Sequence, residues 1–348
     1  MMTHLSEPPI KFIHVNDANP IPLYGLDFLG ILDRGTNVLE IKPITLCNLH
    51  CRYCFVKAGD YDINFVADVD YLIKWLKKAV KSKRCDDLEI HLAPYGEIFL
   101  YKEVFALIRE IRKIPEVKII SLQSNGLLLT NEKIQQLEDA GLDRLNLSLN
   151  SMDEAKCSYY CDVPHYDLPH LLNMFDRILT SSMDLLIAPV WFKGVNDKGI
   201  DDIIAYIKQK EQDGYTWPKL RLGIQNYLTY RTGRKIRKAH QREFSYYYKL
   251  LRQIEKKSHL KLKLGPEDFG IHRTGAISPP VRLNEIDTVE ILMMGRWKNE
   301  FIARLNDEWA VKVLSDTHLQ IGQKLSVKFI KSSLRGNLLT AIPAKKRR

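Results

Sequence analysis

No apolar run in this 348-residue chain reaches the length of a membrane span, and the N-terminal Met-Met-Thr-His-Leu-Ser-Glu-Pro-Pro is polar where a leader would be hydrophobic. A membrane-embedded or secreted protein is therefore not expected, and the expected location is cytoplasmic. No internal repeat or low-complexity tract is visible, so a solenoid or a disordered scaffold is excluded. Cysteine is scarce, with six in all and none after Cys161. A cysteine-rich tail that could hold additional metal clusters is missing, and an intracellular chain of this kind has no use for a disulfide framework.

The cysteines that are present are concentrated. Cys47-Asn-Leu-His-Cys51-Arg-Tyr-Cys54 sets three thiols on one short stretch, able to converge on one soft metal centre. A four-iron, four-sulfur cluster takes one thiolate per iron, so three ligands leave one iron open to a small molecule. Structural zinc wants four closed N/S ligands, and the only nearby fourth, His50, abuts Cys51, where both side chains cannot readily face one ion. Cys85 sits at a helix end, and Cys157 and Cys161 lie four apart near a later loop. Three thiols could in principle hold a second cluster, but these come from separate loops and read as buried or incidental.

Six short runs rich in β-formers recur along the chain: Val38–Ile44, Leu88–Ala93, Val117–Leu122, Leu145–Leu149, Leu185–Val190 and Leu220–Ile224. Amphipathic segments separate them. Leu72, Ile73, Leu76 and Val80 share one helical face, as do Val104, Leu107, Ile108 and Ile111. Thr130 suits an N-cap and Gly141 the C′ position of the helix between the third and fourth strands. Further helices are expected around Ile200–Ile207 and from about Gln241 to Lys257. Alternation of this kind implies parallel strands with right-handed crossovers. Six units are too few for a closed eight-stranded barrel, so the fold class is α/β, a partial (β/α)6 TIM-like barrel. Chemistry in such folds sits at the C-terminal strand ends, and Cys47 follows the first strand on that rim.

After Pro279-Pro280 the pattern changes to five strand-like runs: Thr288–Met293, Glu300–Leu305, Ala310–Leu314, Leu325–Ile330 and Leu338–Ile342. No helix of any length intervenes, which suggests a small all-β barrel of the OB type. The domains are therefore drawn as an N-terminal extension (1–35), the partial barrel (36–280) and the small barrel with a basic tail (281–348).

The chain is basic, at a formal net charge of +10 and a pI near 9.1, which suggests a polyanionic partner. Residues 281–348 carry 13 Lys/Arg against 7 Asp/Glu and end in Lys345, Lys346, Arg347 and Arg348. A second basic stretch, Tyr230 to Lys238, follows the sixth strand and includes Arg231, Arg234 and Lys235. Cations at a helix start oppose the macrodipole, which favours a phosphate-binding role for these three.

Cys-x3-Cys-x2-Cys with Tyr53 just before the last cysteine resembles the signature of the radical SAM superfamily. The resemblance spans about residues 36–265. Pro94-Tyr-Gly96-Glu97-Ile98 resembles the family's Gly-Gly-Glu-Pro turn, although Tyr95 and Ile98 depart from it. Gln123-Ser124-Asn125-Gly126 is similar to its Thr-Asn-Gly turn. Asn146 to Asn150 is similar to its Ser-Leu-Asp strand, with Asn150 in place of the acid. Lys193-Gly-Val-Asn196-Asp197 is similar to the turn after the fifth strand. Gly223-Ile-Gln225 falls where the sixth strand nears adenine. The whole chain also resembles an archaeal group of radical SAM proteins that includes Leu-Asp-Arg-Gly-Thr-Asn (32–37) and Tyr230-Arg-Thr-Gly-Arg234. The tail resembles TRAM-type RNA-binding domains.

The resemblance implies that Cys47, Cys51 and Cys54 hold a single [4Fe-4S] cluster whose open iron chelates S-adenosylmethionine (SAM). It implies reductive cleavage of SAM to a 5′-deoxyadenosyl radical that abstracts hydrogen from a substrate, with the electron supplied by a ferredoxin- or flavodoxin-type donor. Tyr53, Gly96, Glu97, Ser124, Asn125, Ser148, Asn150 and Gln225 are the implied SAM contacts. RNA is the expected substrate, as tRNA or rRNA, gripped by the small barrel, with Trp297 and Trp309 as candidate stacking platforms. On this reading, removing residues 281–348 leaves SAM cleavage intact. The alternative is a small molecule, lipid or peptide substrate with the barrel as a lid. A non-catalytic iron–sulfur RNA-binding protein is disfavoured by the SAM landmarks.

Overall fold

The computed structural model describes residues 11–333 and 336–344. Strands β1 (Lys11–Val15), β2 (Gly30–Asp33) and β3 (Val38–Lys42) precede the cysteine loop, and β4 (Ile63–Ala67) follows it. Alternation then runs through α1 (Val69–Lys83), β5 (Leu88–Leu92), α2 (Val104–Arg112), β6 (Val117–Ser124), α3 (Asn131–Ala140) and β7 (Arg144–Leu147). Two helices, α4 (Glu154–Cys161) and α5 (Leu168–Leu179), lead into β8 (Asp184–Ile187) and the short β9 (Val190–Trp191). The α/β part closes with α6 (Asp197–Gln212), β10 (Leu220–Leu222), the short β11 (Gln225–Asn226) and α7 (Phe244–Ser258).

One seven-stranded sheet has the order β10-β8-β7-β6-β5-β3-β2. Six of its members, from β3 across to the edge strand β10, run parallel in chain order, the arrangement the strand–helix alternation predicts. The seventh is β2, which pairs antiparallel with β3 on the outer edge. Residues drawn as an N-terminal extension thus contribute an edge strand to the sheet. A second strand from that extension, β1, lies parallel beside β4.

Helix starts and stops follow local chemistry. The Thr130 hydroxyl accepts from Lys133 N to begin α3, and Gly141 ends it at φ 88°, a left-handed conformation in which glycine has no Cβ to clash.

The two faces of the sheet differ sharply. Leu39, Ile41, Leu88, Ile90 and Leu92 are buried in the core with the helices. The alternate positions of the same strands are polar and bond to one another across the sheet. Arg144 pairs with Glu89, the Ser121 hydroxyl donates to Glu89 at 2.6 Å, and His91 Nδ1 lies 2.8 Å from Ser121 Oγ. On β3, Glu40 lies between Arg34 and Lys42. Period-two alternation therefore places an apolar layer outside and a polar lining inside.

The C-terminal strands β12 (Ile286–Met294), β13 (Glu300–Asn306), β14 (Trp309–Leu314), β15 (Lys324–Ser333) and β16 (Gly336–Pro343) close into a barrel of order β12-β13-β14-β16-β15. All pairs are antiparallel except β14 with β16. This barrel is welded to the rest of the chain. Asn337 is wholly buried, its side chain accepting from Asp33 N at 2.8 Å and donating to Ile31 O at 2.7 Å. Gly25 lies so close to β14 that an added Cβ would stand 1.8 Å from Ala310 O. Lys83 and Asp33, both fully buried, pair at 2.8 Å beneath this seam.

Candidate active site

The chain leaves β3 through Pro43 and enters the cysteine loop, where Cys54 N donates to Cys51 O at 3.0 Å and closes a tight turn. Arg234 holds this loop from outside. Its Nε donates to Cys51 O at 2.9 Å, one Nη to Ala58 O at 2.6 Å, and the other to Asp60 Oδ1 at 2.7 Å. Its backbone N–H takes Cys54 O at 2.9 Å. An added Cβ on Gly233 would meet Phe55 O at 2.7 Å, so the two loops lie flush. Every limb of the Arg234 guanidinium is engaged by the loop. Its assignment as a phosphate ligand is therefore corrected to that of a clamp.

Below the loop, Glu97 N donates to Leu46 O at 2.8 Å. A Cβ on Gly96 would stand 1.9 Å from the same carbonyl, which is why only glycine fits there. The buried Glu97 carboxylate accepts from Ser124 Oγ at 2.6 Å, Phe99 N at 3.1 Å and Asn125 N at 2.9 Å. Burial pushes its pKa up despite these bonds. Glu97 and Ser124 thus bind each other and lock the turns after β5 and β6 together.

Tyr53, Asn125, Ser148 and Asn150 come together. With Leu49, Cys157, Tyr160, Cys161 and Tyr166 they line one cavity at the C-terminal ends of β6 and β7. Asn150 Nδ2 donates to the Tyr53 hydroxyl at 2.8 Å, and its Oδ1 accepts from Val190 N at 2.8 Å. Asn125 Nδ2 donates to Asn48 Oδ1 at 2.9 Å, tying this turn to the cysteine loop. The Tyr53 ring packs 5.1 Å from Phe192. Gln225 is exposed farther out on the rim, where β11 pairs with β9.

Burial pushes the Cys47 thiol up to about 12 and raises Cys54. Cys51 is lowered, chiefly by a hydrogen bond from the Cys161 thiol. The helix α4 therefore brings two thiols read as incidental onto the site, Cys161 beside a motif cysteine and Cys157 donating to Ser151 O at 3.1 Å. Their four-residue spacing on one helical face was the available signal.

The donor set distinguishes a cluster from a single ion. Among the described residues, the only Cys/His/Asp/Glu trio with ligand atoms within 4.8 Å of one another is Cys85, Asp87 and His272. The three motif thiols do not all lie that close together, and three thiolates suit an iron–sulfur cluster with one iron left open.

Residues 41–207 match the profile of the radical SAM superfamily. The chain is 30% identical to the uncharacterized protein MJ0103 of Methanocaldococcus jannaschii, over 95% of this chain and 80% of that one. The chain belongs to the radical SAM superfamily. GTP 3′,8-cyclase of Clostridium acetobutylicum is 28% identical over 49% of this chain, which spans about half (52%) of that enzyme's length. Streptococcus suis SuiB bound to S-adenosylmethionine shares the fold, with TM-score 0.52 and 16% identity, covering 66% of this chain and 51% of SuiB. The radical SAM enzyme's cofactors are a [4Fe-4S] cluster and SAM, and Cys47, Cys51 and Cys54 are the residues fit to hold the cluster.

The charge of this enzyme is unevenly placed. Residues 230–263 hold 12 Lys/Arg and 2 Asp/Glu, leaving 40 of each sign in the rest of the chain. Of the twelve, Arg234 pairs with Asp60 and Lys261 with Asp268. Among the described residues the other ten have no carboxylate partner. Arg231, Lys235, Arg237 and Lys238 are exposed beside the cysteine loop, in irregular chain ahead of α7 and not at a helix start. Lys345, Lys346, Arg347 and Arg348 lie outside the described residues.

The two candidate stacking tryptophans are structural. Trp309 is buried against Tyr24. Trp297 packs edge-on to Tyr61 at 5.1 Å, wedging the small barrel against the segment that follows Cys54. Beside it, the buried Arg296 donates to both Glu300 oxygens at 3.0 and 2.8 Å and stacks on Phe28, Tyr61 and Tyr95. The small barrel thus touches the segment that follows the cysteine loop.

Proposed function

We propose that this radical SAM enzyme modifies RNA. One observation carries the reading: the whole formal charge of +10 resides in residues 230–263, a strip that begins beside the cysteine loop. A basic strip with unpaired cations is the electrostatic footprint of a phosphate backbone. Exposed Phe55, Tyr159 and Tyr230 stand around the same rim, with Arg52 stacked 4.7 Å over Tyr159, and such rings suit nucleobases. A relative named for a reaction on GTP supports a nucleotide as the radical's target.

When bound, the cluster and SAM supply a 5′-deoxyadenosyl radical. The chain's share is orientation and shelter. Tyr53 and Phe192 give an apolar wall, Asn125, Ser148 and Asn150 offer hydrogen bonds, and the strip steers the anion to the mouth. A ferredoxin- or flavodoxin-type protein supplies the electron.

The test is binding of total cellular RNA by the reconstituted full-length protein across a salt series, followed by mass spectrometry of nucleosides from cells lacking it. Affinity should fall steeply with salt as condensed counterions are released, and one modified nucleoside should disappear. If the protein prefers RNA no more than heparin and no nucleoside changes, the reading is wrong. A small molecule, lipid or peptide then becomes the substrate class to pursue.

A further inference from the structure

The basic strip does not end at the mouth. At its rim end, Arg242 is anchored by its carbonyl, which accepts from Asn226 Nδ2 at 2.7 Å. That bond seats Arg242 at the end of β11, next to Gln225. Its Nε is buried with no hydrogen-bond partner, and buried donors left unpaired call for an explanation.

From there α7 carries the strip away from the site. Ser245, Tyr248 and Arg252 fall on one helical face and, with Lys263 to Glu267, enclose a second cavity of about 550 Å³. Its polar groups are the Ser245 and Tyr248 hydroxyls, the Arg252 and Lys263 cations and one carboxylate, Glu267. Lys263 Nζ lies 5.7 Å over the Tyr248 ring. Two other acids lie nearby: Glu255 is occupied by the backbone N–H groups of Leu262 and Lys263 at 2.8 and 2.7 Å, and Asp268 accepts from Gly265 N at 2.8 Å and pairs with Lys261.

Exposed aromatic rings stand at the mouth and at the start of α7. Phe55 and Tyr230 lie 5.5 Å apart at the mouth, and Phe244 and Tyr246 are exposed at the start of α7. Cations interleaved with exposed rings suit a strand whose bases are unpaired, because a ring's open face can take a base while each cation takes a phosphate. A duplex hides its base faces and would leave these rings unused.

Resting on the RNA reading above, we propose that the enzyme grips an extended single-stranded RNA along α7. Arg242 takes the phosphate beside the nucleotide in the mouth. The cavity between α7 and residues 263–267 takes another phosphate farther along the strand. Phe244 to Arg252 spans about 12 Å of helix, so a strand must run on past the nucleotide in the mouth to reach this cavity. The substrate is therefore a stretch of chain and not a free nucleotide, and the strip on α7, not the small barrel, is what holds it.

The experiment is fluorescence anisotropy of the reconstituted full-length protein with labelled, unstructured RNA oligonucleotides of two to twelve nucleotides. Affinity should climb at least tenfold between the dinucleotide and a hexanucleotide and then level off. An Arg252→Ala, Lys263→Ala double variant, checked for wild-type iron content and thermal midpoint, should lose that gain while binding the dinucleotide unchanged. Arg242→Ala should weaken both lengths. RNA binding that ignores length, a double variant with full affinity for long strands, or a duplex bound as well as a single strand would each overturn this proposal and leave the RNA reading standing. Failure to bind any RNA would overturn the RNA reading itself.

Discussion

Arg234→Ala separates two roles that one cation could play. The substitution removes three side-chain hydrogen bonds, to Cys51 O, Ala58 O and Asp60 Oδ1. Bonds to a charged group contribute roughly 1.5–3 kcal/mol each. The side chains of Arg234 and Asp60 are 16% and 29% exposed, so water replaces part of the loss, and the net cost to the ordered loop is on the order of 3 kcal/mol. That is about a hundredfold in the population of a correctly shaped cysteine loop. The backbone bond from residue 234 to Cys54 O survives in the variant, so the loop loosens without losing its path. The assay is anaerobic reconstitution followed by iron release to a chelator, with Arg231→Ala as comparison. Arg234→Ala should bind less iron and release it far faster. Arg234→Lys should fall between, because an ammonium can meet Asp60 but cannot span three acceptors. Arg231→Ala should keep its iron and lose RNA affinity. If Arg234→Ala held iron as well as the wild type and only weakened RNA binding, the clamp would be refuted and the phosphate role restored.

Gly96→Val should abolish SAM binding, because its Cβ would collide with the Leu46 carbonyl at 1.9 Å; isothermal titration with SAM reads the loss, and unchanged affinity would show that this turn does not border the cofactor. Replacing Cys47, Cys51 and Cys54 together by alanine should reduce iron from about four per chain to almost none, whereas a full complement in that variant would make Cys85, Cys157 or Cys161 ligands. Burial alone would raise the Glu40 carboxyl, but Lys42 and Arg34 beside it hold it down to about 2 from its ordinary 4.5. A depressed carboxylate stabilises the fold fully above the unfolded value, and its contribution is lost as pH falls from about 4.5 toward 2. Glu40→Gln should therefore remove on the order of 3 kcal/mol at neutral pH and flatten the acid limb of the urea-midpoint profile.

The strands could be read from the chain because each is a short run rich in apolar residues between helical patterns. Caps such as Thr130 and Gly141 were equally legible, since their chemistry is local. The edge strand β2 was not, because Gly30-Ile-Leu-Asp33 is four residues long and owes its strand form to pairing with β3. Arg234 was misread for a related reason: its partners lie 174 to 183 positions away, and no local pattern reports them. The polar inner lining was visible in principle in Leu39-Glu-Ile-Lys42 and Leu88-Glu-Ile-His91, where polar and apolar residues alternate strictly. The basic stretch from Tyr230 to Lys238 is legible in the chain, but a second excess in the C-terminal 68 residues masks how steeply the charge concentrates on to Lys263. A sliding window would have found it, but only the fold places that window beside the cysteine loop.

The seam between the two barrels changes what the smaller one can be. A lid or a mobile arm needs a surface that opens. Here Asn337 makes both its side-chain bonds to the backbone of residues 31 and 33 while wholly buried, and opening would break both and expose the apolar seam around them. On the far side, Asp62 N donates to Arg296 O at 2.9 Å, and Arg296 stacks 5.5 Å from Tyr95, one residue before Gly96. The segment after Cys54 and the turn that carries Gly96 are thus both backed by one buried arginine of the small barrel. Arg234 braces the cysteine loop from the strip and Arg296 from the barrel. The α7 strip is then free to hold the substrate, because neither of those two cations is needed for it.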